Sequence, residues 1–316
     1  MQKNQILRNP AIKSYIRVRC EETPNNSQIA GEVIKRFKLD AEREHVRVHV
    51  SKFRAREKIQ KTEKPRRRLF FDIETSYATA RVWRPGKQYV NPENLITDTK
   101  IICISYKWQG EDKVHHLHWD KNQNDGTMLK KFVKIMGDAD EIVAHNGDNF
   151  DMKVFRTRCI INKILMYPTY RTFDTLKKAR QYFSFSSNKL DYIGKVLGVG
   201  RKLTHEGMKM WVDVVEGKCE KALKKMLDYC DQDIILLEDV FNALNPYVYH
   251  NTNFAVLHGK DKWDCPDCTS TDVDMYHTYT TPMGVIRRNM RCNDCFKQYR
   301  ISNKTYIQML VSNHDR

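Results

Sequence analysis

Two carboxylates alternate with apolar residues in the segment FFDIET, residues 70–75. The segment has the pattern of a buried strand, and side chains two apart on a strand point to the same face, so Asp72 and Glu74 should project together. Neighbouring carboxylates that leave water repel each other and resist desolvation, and a bound divalent cation removes both problems. The pair therefore indicates a metal site, with a strand end at which both acids are solvated as the alternative.

A further acid ends the segment HNGDNFD, residues 145–151. The segment follows an apolar strand pattern and opens a helix, so Asp151 should lie at the exposed end of the sheet. It would lie beside Asp72 and Glu74 if the two strands are neighbours. The alternative is helix capping by Asn149 or Asp151.

The segment DYCDQD, residues 228–233, lies on a strong helical pattern. Tyr229 and Asp233 are four residues apart and share one face of that helix. The same face carries Met226 and Leu237, so it should point inward, and an inward-facing Asp needs a partner. The other two acids lie on other faces, where we expect them to be solvated: Asp228 and Asp231.

The order of these three segments carries a family resemblance. Asp-x-Glu, then Asn-x-x-x-Phe-Asp, then Tyr-x-x-x-Asp resembles the exonuclease motifs of the DEDD superfamily, tyrosine branch. The form with Asn146, Phe150 and Asp151 is most similar to the proofreading domain of family B DNA polymerases. Two lesser stretches agree, at residues 173–176 and 190–202. The resemblance covers roughly residues 67–246, and no polymerase-like portion follows, which predicts a stand-alone exonuclease unit.

The resemblance implies an α/β fold of the ribonuclease H-like kind and two bound divalent ions, Mg²⁺ or Mn²⁺. Hydrolysis of a phosphodiester needs a strong nucleophile, in-line geometry and neutralised charge on the attacking and leaving oxygens, and two metals about 4 Å apart supply all three. Hard oxygen ligands suit both ions.

The resemblance also implies individual roles. Asp72 would bridge both metals, while Glu74 and Asp233 would complete the site that activates water. Asp151 would support the second metal, and Tyr229 would orient the attacking water through its hydroxyl. Two substrate-binding residues would hold the terminal nucleotides by hydrogen bonding and packing: Asn146 and Phe150.

Four of the nine cysteines form two Cys-x-x-Cys pairs, Cys265 with Cys268 and Cys292 with Cys295. Four thiolates in this arrangement make a closed tetrahedral Zn²⁺ site of the structural kind, and redox disulfides are the alternative. The module resembles a zinc ribbon. It could present cations and rings to nucleic acid, or dock a protein, through Arg287, Arg288, Arg291, Lys297, Arg300, Tyr279, Phe296 and Tyr299.

The remaining cysteines are scattered, often among apolar residues. In a cytoplasmic protein, isolated cysteines in such surroundings are expected to be buried free thiols. The prediction covers five residues: Cys20, Cys103, Cys159, Cys219 and Cys230.

Three regions must position these residues. Residues 1–66 look helical and basic, with a helix from about Gln28 to Phe37 capped by Ser27 and a second from about Ala41 to Ile59. This is the outline of a helix-turn-helix, and a helical packing element is the alternative. A polar linker from Lys61 to Arg68 follows.

Residues 67–250 alternate strand and helix patterns, which predicts one mixed sheet flanked by helices. Residues 258–305 form the zinc ribbon. The predicted elements of the middle region are strands at Leu69–Thr75 and Glu141–His145, a hairpin of Ile101–Trp108 with Val114–Trp119 around Gly110, and helices at Met128–Met136, Met152–Ile161, Asp191–Leu197 and Lys221–Leu244, with a stop at Pro246.

Charge is concentrated at one end of the 316-residue chain, whose net charge is +16. Residues 1–70 hold 19 Lys and Arg against 8 Asp and Glu. A basic end on a nearly neutral body indicates a polyanion contact made by a separate element, with a merely solvated surface as the alternative. No long apolar run and no signal-peptide core occur, so we expect a cytoplasmic protein with no membrane contact.

Together these features predict a metal-dependent 3′–5′ exonuclease that acts at nucleic-acid 3′ ends, with DNA favoured over RNA and neither excluded by the sequence. Its partners would be nucleic acid and a DNA polymerase or another replication or repair protein. Two alternatives remain open: a catalytically inactive nucleic-acid-binding adaptor, and a structure-specific endonuclease on the same fold.

Overall fold

The computed structural model describes residues 10–23, 25–39, 41–56, 67–204, 206–250 and 252–314. The chain forms two compact units, one of Met1–Pro65 with Val256–Asp261 and one of Arg66–Ala255 with Lys262–Arg316. Most of the predicted Lys61–Arg68 linker and the last residues of the predicted Ala41–Ile59 helix lie outside the described residues. The division into three regions stays a prediction.

The described part of the first unit contains three helices: α1 (Pro10–Glu22), α2 (Asn26–Phe37) and α3 (Arg43–Arg56). Apolar residues at helical spacing, such as Ile16, Val33 and Val50, are fully buried between them. Helix α1 was not predicted as a separate element. The predicted cap of α2 was wrong, because the side chain of Asn25 rather than that of Ser27 accepts the first free backbone N–H groups.

A five-stranded mixed sheet forms the centre of the second unit, in the order β5-β4-β1-β6-β7. Strand β1 pairs antiparallel with β4 and parallel with β6. This arrangement confirms the predicted mixed α/β sheet. Its strands are β1 (Arg68–Thr75), β4 (Ile101–Trp108), β5 (His115–His118), β6 (Glu141–Ala144) and β7 (Thr172–Asp174), while β2 (Thr79–Ala80) and β3 (Leu95–Thr97) pair separately.

Helices cover both faces of this sheet. They are α4 (Gly126–Gly137), α5 (Asp151–Ile161), α6 (Thr175–Tyr182), α7 (Leu190–Leu197), α8 (Met208–Val215) and α9 (Glu220–Leu244). None of the described helices has both the length and the apolarity needed to cross a bilayer. The strands and helices predicted for this region are present, whereas β2, β3, β7, α6 and α8 were not foreseen.

Alternation along β1 divides its residues between two apolar clusters. Leu69, Phe71 and Ile73 pack with α4 and α5 on one face. Phe70 packs with Phe241 of α9 on the other. Because side chains alternate along a strand, Asp72 and Glu74 lie on the face of Phe70, the face that α9 covers.

The zinc module is a three-stranded antiparallel sheet in the order β10-β9-β8 with a terminal helix. Its elements are β8 (Val273–Thr280), β9 (Ile286–Cys292), β10 (Gln298–Ser302) and α11 (Asn303–His314), preceded by the short helix α10 (Phe254–Leu257). It packs into the same compact unit as the mixed sheet.

Arg68 joins this module to the mixed sheet. Its guanidinium is completely buried, and it donates to Glu141 Oε2 of β6 at 2.8 Å and to Asp267 Oδ1 at 3.1 Å. The guanidinium carbon also lies 4.7 Å from the centroid of the Phe241 ring and 4.8 Å from that of Phe254. Asp267 lies between Cys265 and Cys268. The Arg68 guanidinium therefore ties the cysteine turn to strand β1.

Two residues that were expected to face nucleic acid are instead structural. The Lys297 ammonium is buried and donates to the backbone carbonyls of Asn245 and Val248. The Tyr299 side chain is also buried, and its hydroxyl donates to the carbonyl of Trp263 at 2.5 Å. The prediction that these two side chains are presented on the surface was wrong, because the turn before β10 points Lys297 inward and the alternation of β10 points Tyr299 inward.

Replacing Arg68 by Met should lower the free energy of unfolding by about 3–5 kcal/mol, because it leaves two buried carboxylates without their cation. Urea denaturation measures the change. Arg67→Met is the matched control: Arg67 is exposed and stacks on Trp108 at 4.1 Å, so its loss should cost less than about 1 kcal/mol. Equal stability of the two variants would contradict the anchoring role of Arg68.

Candidate active site

Asp72 and Glu74 are half-buried on β1 beneath α9. In the register with β4, Asp72 lies opposite Ser105 and Glu74 opposite Cys103. The thiol of Cys230 on α9 lies 3.8 Å from Asp72 Oδ2, so the helix crosses directly over the first acid. The predicted common face of the two carboxylates is therefore present and is not a solvated strand end.

Asp151 is the first residue of α5 and is almost completely buried. The loop that leads to it is tight: Asn146 has a left-handed φ of 71°, and a Cβ on Gly147 would lie 2.4 Å from Cβ of Ala144. Asp174 holds the loop by accepting the backbone N–H groups of Asn146 and Asp148. Gly147 and the hydrogen bonds to Asp174 together fix the position at which Asp151 enters the site.

Helix capping does not account for the acidic residue at position 151. The residue before the helix is Phe150, and no side chain caps the first turn of α5. Asp151 Oδ1 is buried and has no hydrogen-bond partner among the described residues. A buried carboxylate oxygen without a donor is costly, and Asp151 Oδ1, which is free of chain donors among the described residues, could serve as a metal ligand.

Tyr229 and Asp233 lie on the inward face of α9, as the helical spacing predicts. Asp228 is exposed, also as expected. The expectation for Asp231 was wrong: it is half-buried and accepts a hydrogen bond of 2.5 Å from Ser105, because α9 also lies over β4.

Lys202 is a site residue that the sequence patterns did not single out. Its ammonium lies 2.5 Å from Asp233 Oδ2 and 3.4 Å from the Tyr229 hydroxyl. Its backbone N–H is held by Asp191 at 2.9 Å. The only signal for it was its position at the end of the stretch 190–202, since the spacing of one lysine in an irregular segment predicts no particular contact.

The close approach of α7 to α9 places this lysine. A Cβ on Gly194 would lie 2.6 Å from Leu236 Cδ1 and 2.9 Å from the carbonyl oxygen of Gly200. Only glycine permits that approach, and the chain from Gly200 then reaches Lys202 beside α9.

The acids strongly perturb one another. Burial, and then Asp233, raise the pKa of Asp72 to about 7. Burial, and then Asp72, raise the pKa of Glu74 to about 8. The same two causes, burial and Asp72, hold the pKa of Asp151 well above its usual value. The causes of these shifts indicate that the carboxylates lie close together in a poorly solvated space.

Lys202 offsets part of this charge. Burial alone would lower the pKa of its ammonium, but Asp233 outweighs burial and the pKa is raised. One ammonium cannot neutralise four carboxylates. Ligand oxygens of Asp72 and Glu74 and the Cys230 sulfur lie within 4.8 Å of one another, so this acidic group could bind metal.

Asn146 and Phe150 flank the cluster in the loop before α5. Asn146 is half-buried, and the Phe150 ring is 44% exposed. Their backbone groups close the loop, since Asn146 O accepts the N–H of Phe150 at 3.0 Å. The exposed ring lies next in the chain to the buried Asp151.

The four paired cysteines converge on one point. The Sγ atoms of Cys265 and Cys295 are 3.5 Å apart, as are those of Cys268 and Cys292. Disulfide sulfurs are about 2.05 Å apart, whereas sulfurs about 2.3 Å from a tetrahedral Zn²⁺ are about 3.8 Å apart. The cluster therefore fits a zinc ribbon and not a pair of disulfides.

All nine cysteines lie among the described residues, and they form no disulfide with one another. Of the five that were expected to be buried, Cys20, Cys103, Cys159 and Cys230 are. Cys219 is exposed at the start of α9, so that part of the prediction was wrong.

Comparison with known proteins agrees with this geometry. Residues 69–245, more than half of the chain, match a family of the RNase_H superfamily. The chain belongs to this superfamily. Membership supports a nuclease-type function in general, and the fold implies the use of divalent metal ions.

Two DNA polymerases are among the similar proteins. A DNA polymerase of Thermococcus hydrothermalis is 30% identical over 101 residues, which cover 29% of this chain and 5% of the polymerase. The structure of the family B DNA polymerase from the archaeon Pyrobaculum calidifontis is 16% identical with a TM-score of 0.45, covering 58% of this chain and 25% of that one. The chain thus spans only a small part of either relative.

Asp72→Asn should weaken Mn²⁺ binding at least about 10-fold, because a ligand position contributes no less than the supporting groups around it. Calorimetric titration of the full chain measures the affinity. Asp228→Asn removes the same charge from the exposed side of α9 and should leave the affinity unchanged. If both variants bind Mn²⁺ as the parent does, Asp72 is not a metal ligand.

Proposed function

We propose that this protein is a metal-dependent 3′–5′ exonuclease that removes nucleotides from the 3′ ends of DNA. The observation that carries the proposal is the meeting of Asp72, Glu74, Asp151 and Asp233 in one poorly solvated space beside Tyr229. This proximity supports the proposal that the residues of the three exonuclease-like motifs act as one site.

The four carboxylates are the residues that would hold two Mg²⁺ or Mn²⁺ ions. Their oxygens are hard ligands, and Asp151 Oδ1 lacks any donor from the described chain. When bound, the ions lower the pKa of water and neutralise charge on the attacking and leaving oxygens of the phosphodiester.

Tyr229 supplies a positioned hydroxyl. Burial, and then Asp233, raise the pKa of Tyr229 to about 12, so the phenol stays protonated at neutral pH. A protonated phenol can donate one hydrogen bond and accept another, which suits the orientation of an attacking water. Lys202 holds Asp233 and lies close to the Tyr229 hydroxyl, so it fixes both groups as a positioning residue.

Asn146 and Phe150 would hold the terminal nucleotides. The exposed Phe150 ring offers a face on which a base can stack, and stacking tolerates any base. Removal from an end requires a site that accepts a terminus, and a loop with a stacking ring beside the acids provides one. DNA is preferred over RNA because the relative from Thermococcus hydrothermalis is a DNA polymerase.

The remaining regions would serve binding. The positive charge of residues 1–70 favours a polyanion contact there. The zinc module, with one structural Zn²⁺, and the basic N-terminal helices would hold the substrate or a DNA polymerase or other replication or repair partner. The same proposal includes a helix-turn-helix role for the N-terminal helices.

The direction of digestion tests the function. A 5′-labelled single strand should shorten stepwise from its 3′ end when Mg²⁺ is present, and a blocked 3′ end should stop this, whereas a blocked 5′ end should not. The Asp233→Ala protein should be inactive, since a buried metal ligand is lost, while Asp228→Ala should digest normally. Cuts within circular single strands would favour the endonuclease, and no hydrolysis of any substrate the inactive adaptor.

The Tyr229 hydroxyl has its own test. Tyr229→Phe should lower kcat by about 10- to 100-fold, less than a general acid–base group contributes at most, and should leave Mn²⁺ affinity intact. Single-turnover hydrolysis measures the rate. Tyr182→Phe, which removes a hydroxyl from an exposed ring of α6, should have no effect. Unchanged turnover in the Tyr229 variant would show that this residue only packs.

A further inference from the structure

The outer face of the zinc-module sheet is basic and aromatic. On β9, Met290 and Cys292 point inward and are buried, so the alternate residues Arg287 and Arg291 point outward and are exposed. On β10, Tyr299 is inward and Arg300 outward. Three arginines therefore project from two neighbouring strands on the side away from the packed interior.

A cavity of about 530 Å³ opens on this face. Its lining includes Tyr249, Tyr276, Arg287, Asn289, Gln298 and Arg300. Among the described residues that line it, none is acidic. The volume lies in the range of sites for small organic groups, and the lining combines rings, amides and guanidinium groups.

The side chains are held in place before any ligand arrives. Tyr276 donates to Gln298 Oε1 at 2.9 Å, and Arg300 donates to Asn289 Oδ1 at 3.0 Å while lying 5.0 Å from the centroid of the Tyr279 ring. The Tyr249 and Tyr276 rings nevertheless stay about half exposed. The Arg300 guanidinium, held beside accessible rings, therefore loses little conformational entropy when a ligand binds.

We propose that this face binds single-stranded nucleic acid, with a base stacked in the cavity against Tyr276 and phosphates paired with Arg287 and Arg300. Rings supply a sequence-tolerant surface for bases, and guanidinium groups pair with phosphate oxygens. A docked protein would bury two arginines without an acidic partner on this chain, so nucleic acid is the occupant that the charge favours.

The surface is separate from the acidic cluster. Arg68, at the start of β1, ties the zinc module to the sheet, whereas Glu74 lies six residues further along the strand, about 20 Å away. The proposal depends on the proposed function only for the class of ligand. Binding here should therefore affect long strands more than the chemistry at a short terminus.

The test is fluorescence anisotropy of the full chain with labelled oligothymidylate and oligouridylate of equal length, without added Mg²⁺ or Mn²⁺, so that no cleavage complicates binding. Arg287→Ala/Arg300→Ala should flatten the slope of log Kd against log salt by about 1.4, because each single-strand phosphate contact contributes about 0.7. Lys130→Ala/Lys131→Ala removes two exposed charges from α4 and is the matched control. Its slope should equal that of the parent.

The ring has a second test. Tyr276→Ala should raise Kd about 5- to 150-fold, the value of one base–ring stack. Tyr276→Phe keeps the ring and should bind as the parent does, which separates stacking from any effect of the hydroxyl. If oligothymidylate binds more tightly, DNA is the favoured ligand, and if oligouridylate binds more tightly, RNA is.

An arginine variant with the slope of its lysine control, or a Tyr276→Ala protein with unchanged Kd, overturns the proposal. Protein docking would give that result. Hydrolysis of a dinucleotide in Mg²⁺ is measured separately and should be normal in all these variants. If the surface variants lose binding but the parent hydrolyses no substrate, the nuclease proposal is refuted and the binding surface is supported. If the parent hydrolyses DNA but the surface variants bind as the parent does, only the binding surface is refuted.

Discussion

Electrostatic repulsion among buried carboxylates is the constraint around which the larger unit is built. Asp72 and Glu74 project from a core strand, Asp151 begins a helix, and Asp233 faces inward from α9. Ordinary packing would keep such groups apart or in water. Here the sheet register, a tight glycine loop and a long helix hold them together, so the fold maintains an arrangement that a compensating positive charge, such as that of Lys202, makes more favourable.

Strand β1 contributes most of the residues on which this arrangement depends. Its first residue, Arg68, anchors the cysteine turn, its apolar residues divide between two clusters, and its later residues supply two acids. Each of these duties depends on the same two-residue alternation. A shift of one residue in register would turn the acids into the apolar cluster of α4 and α5 and would turn Phe71 towards α9.

The parts of this structure that the sequence predicted are those with a strong period. The strand of Asp72 and Glu74, the hairpin at Gly110 and the face of Tyr229 and Asp233 follow from spacings of two and four residues. Helices of eight residues span only about two turns, so this signal is weak in them: α7 was predicted, whereas α6 and α8 were not. The contact of Lys202 with Asp233 spans 31 residues of chain, and nothing local encodes it.

The errors have the same origin. Lys297 and Tyr299 look like surface residues by type, but the turn of the cysteine module and the alternation of β10 point them inward. The helical position of Asp231 predicts a solvated side chain. Because α9 also lies over β4, Asp231 instead contacts Ser105. Residue type predicts average exposure, whereas the packing of one element on another decides the individual case.

The buried guanidinium of Arg68 has a consequence for modularity. Cysteine modules of this size are often regarded as interchangeable attachments, added to or removed from a catalytic core by cutting a linker. Here Asp267 and the rings of Phe241 and Phe254 enclose a cation that belongs to the central sheet. Excising the attachment would open the hydrophobic interior of the core to water, so the smallest functional fragment of the larger unit includes both parts.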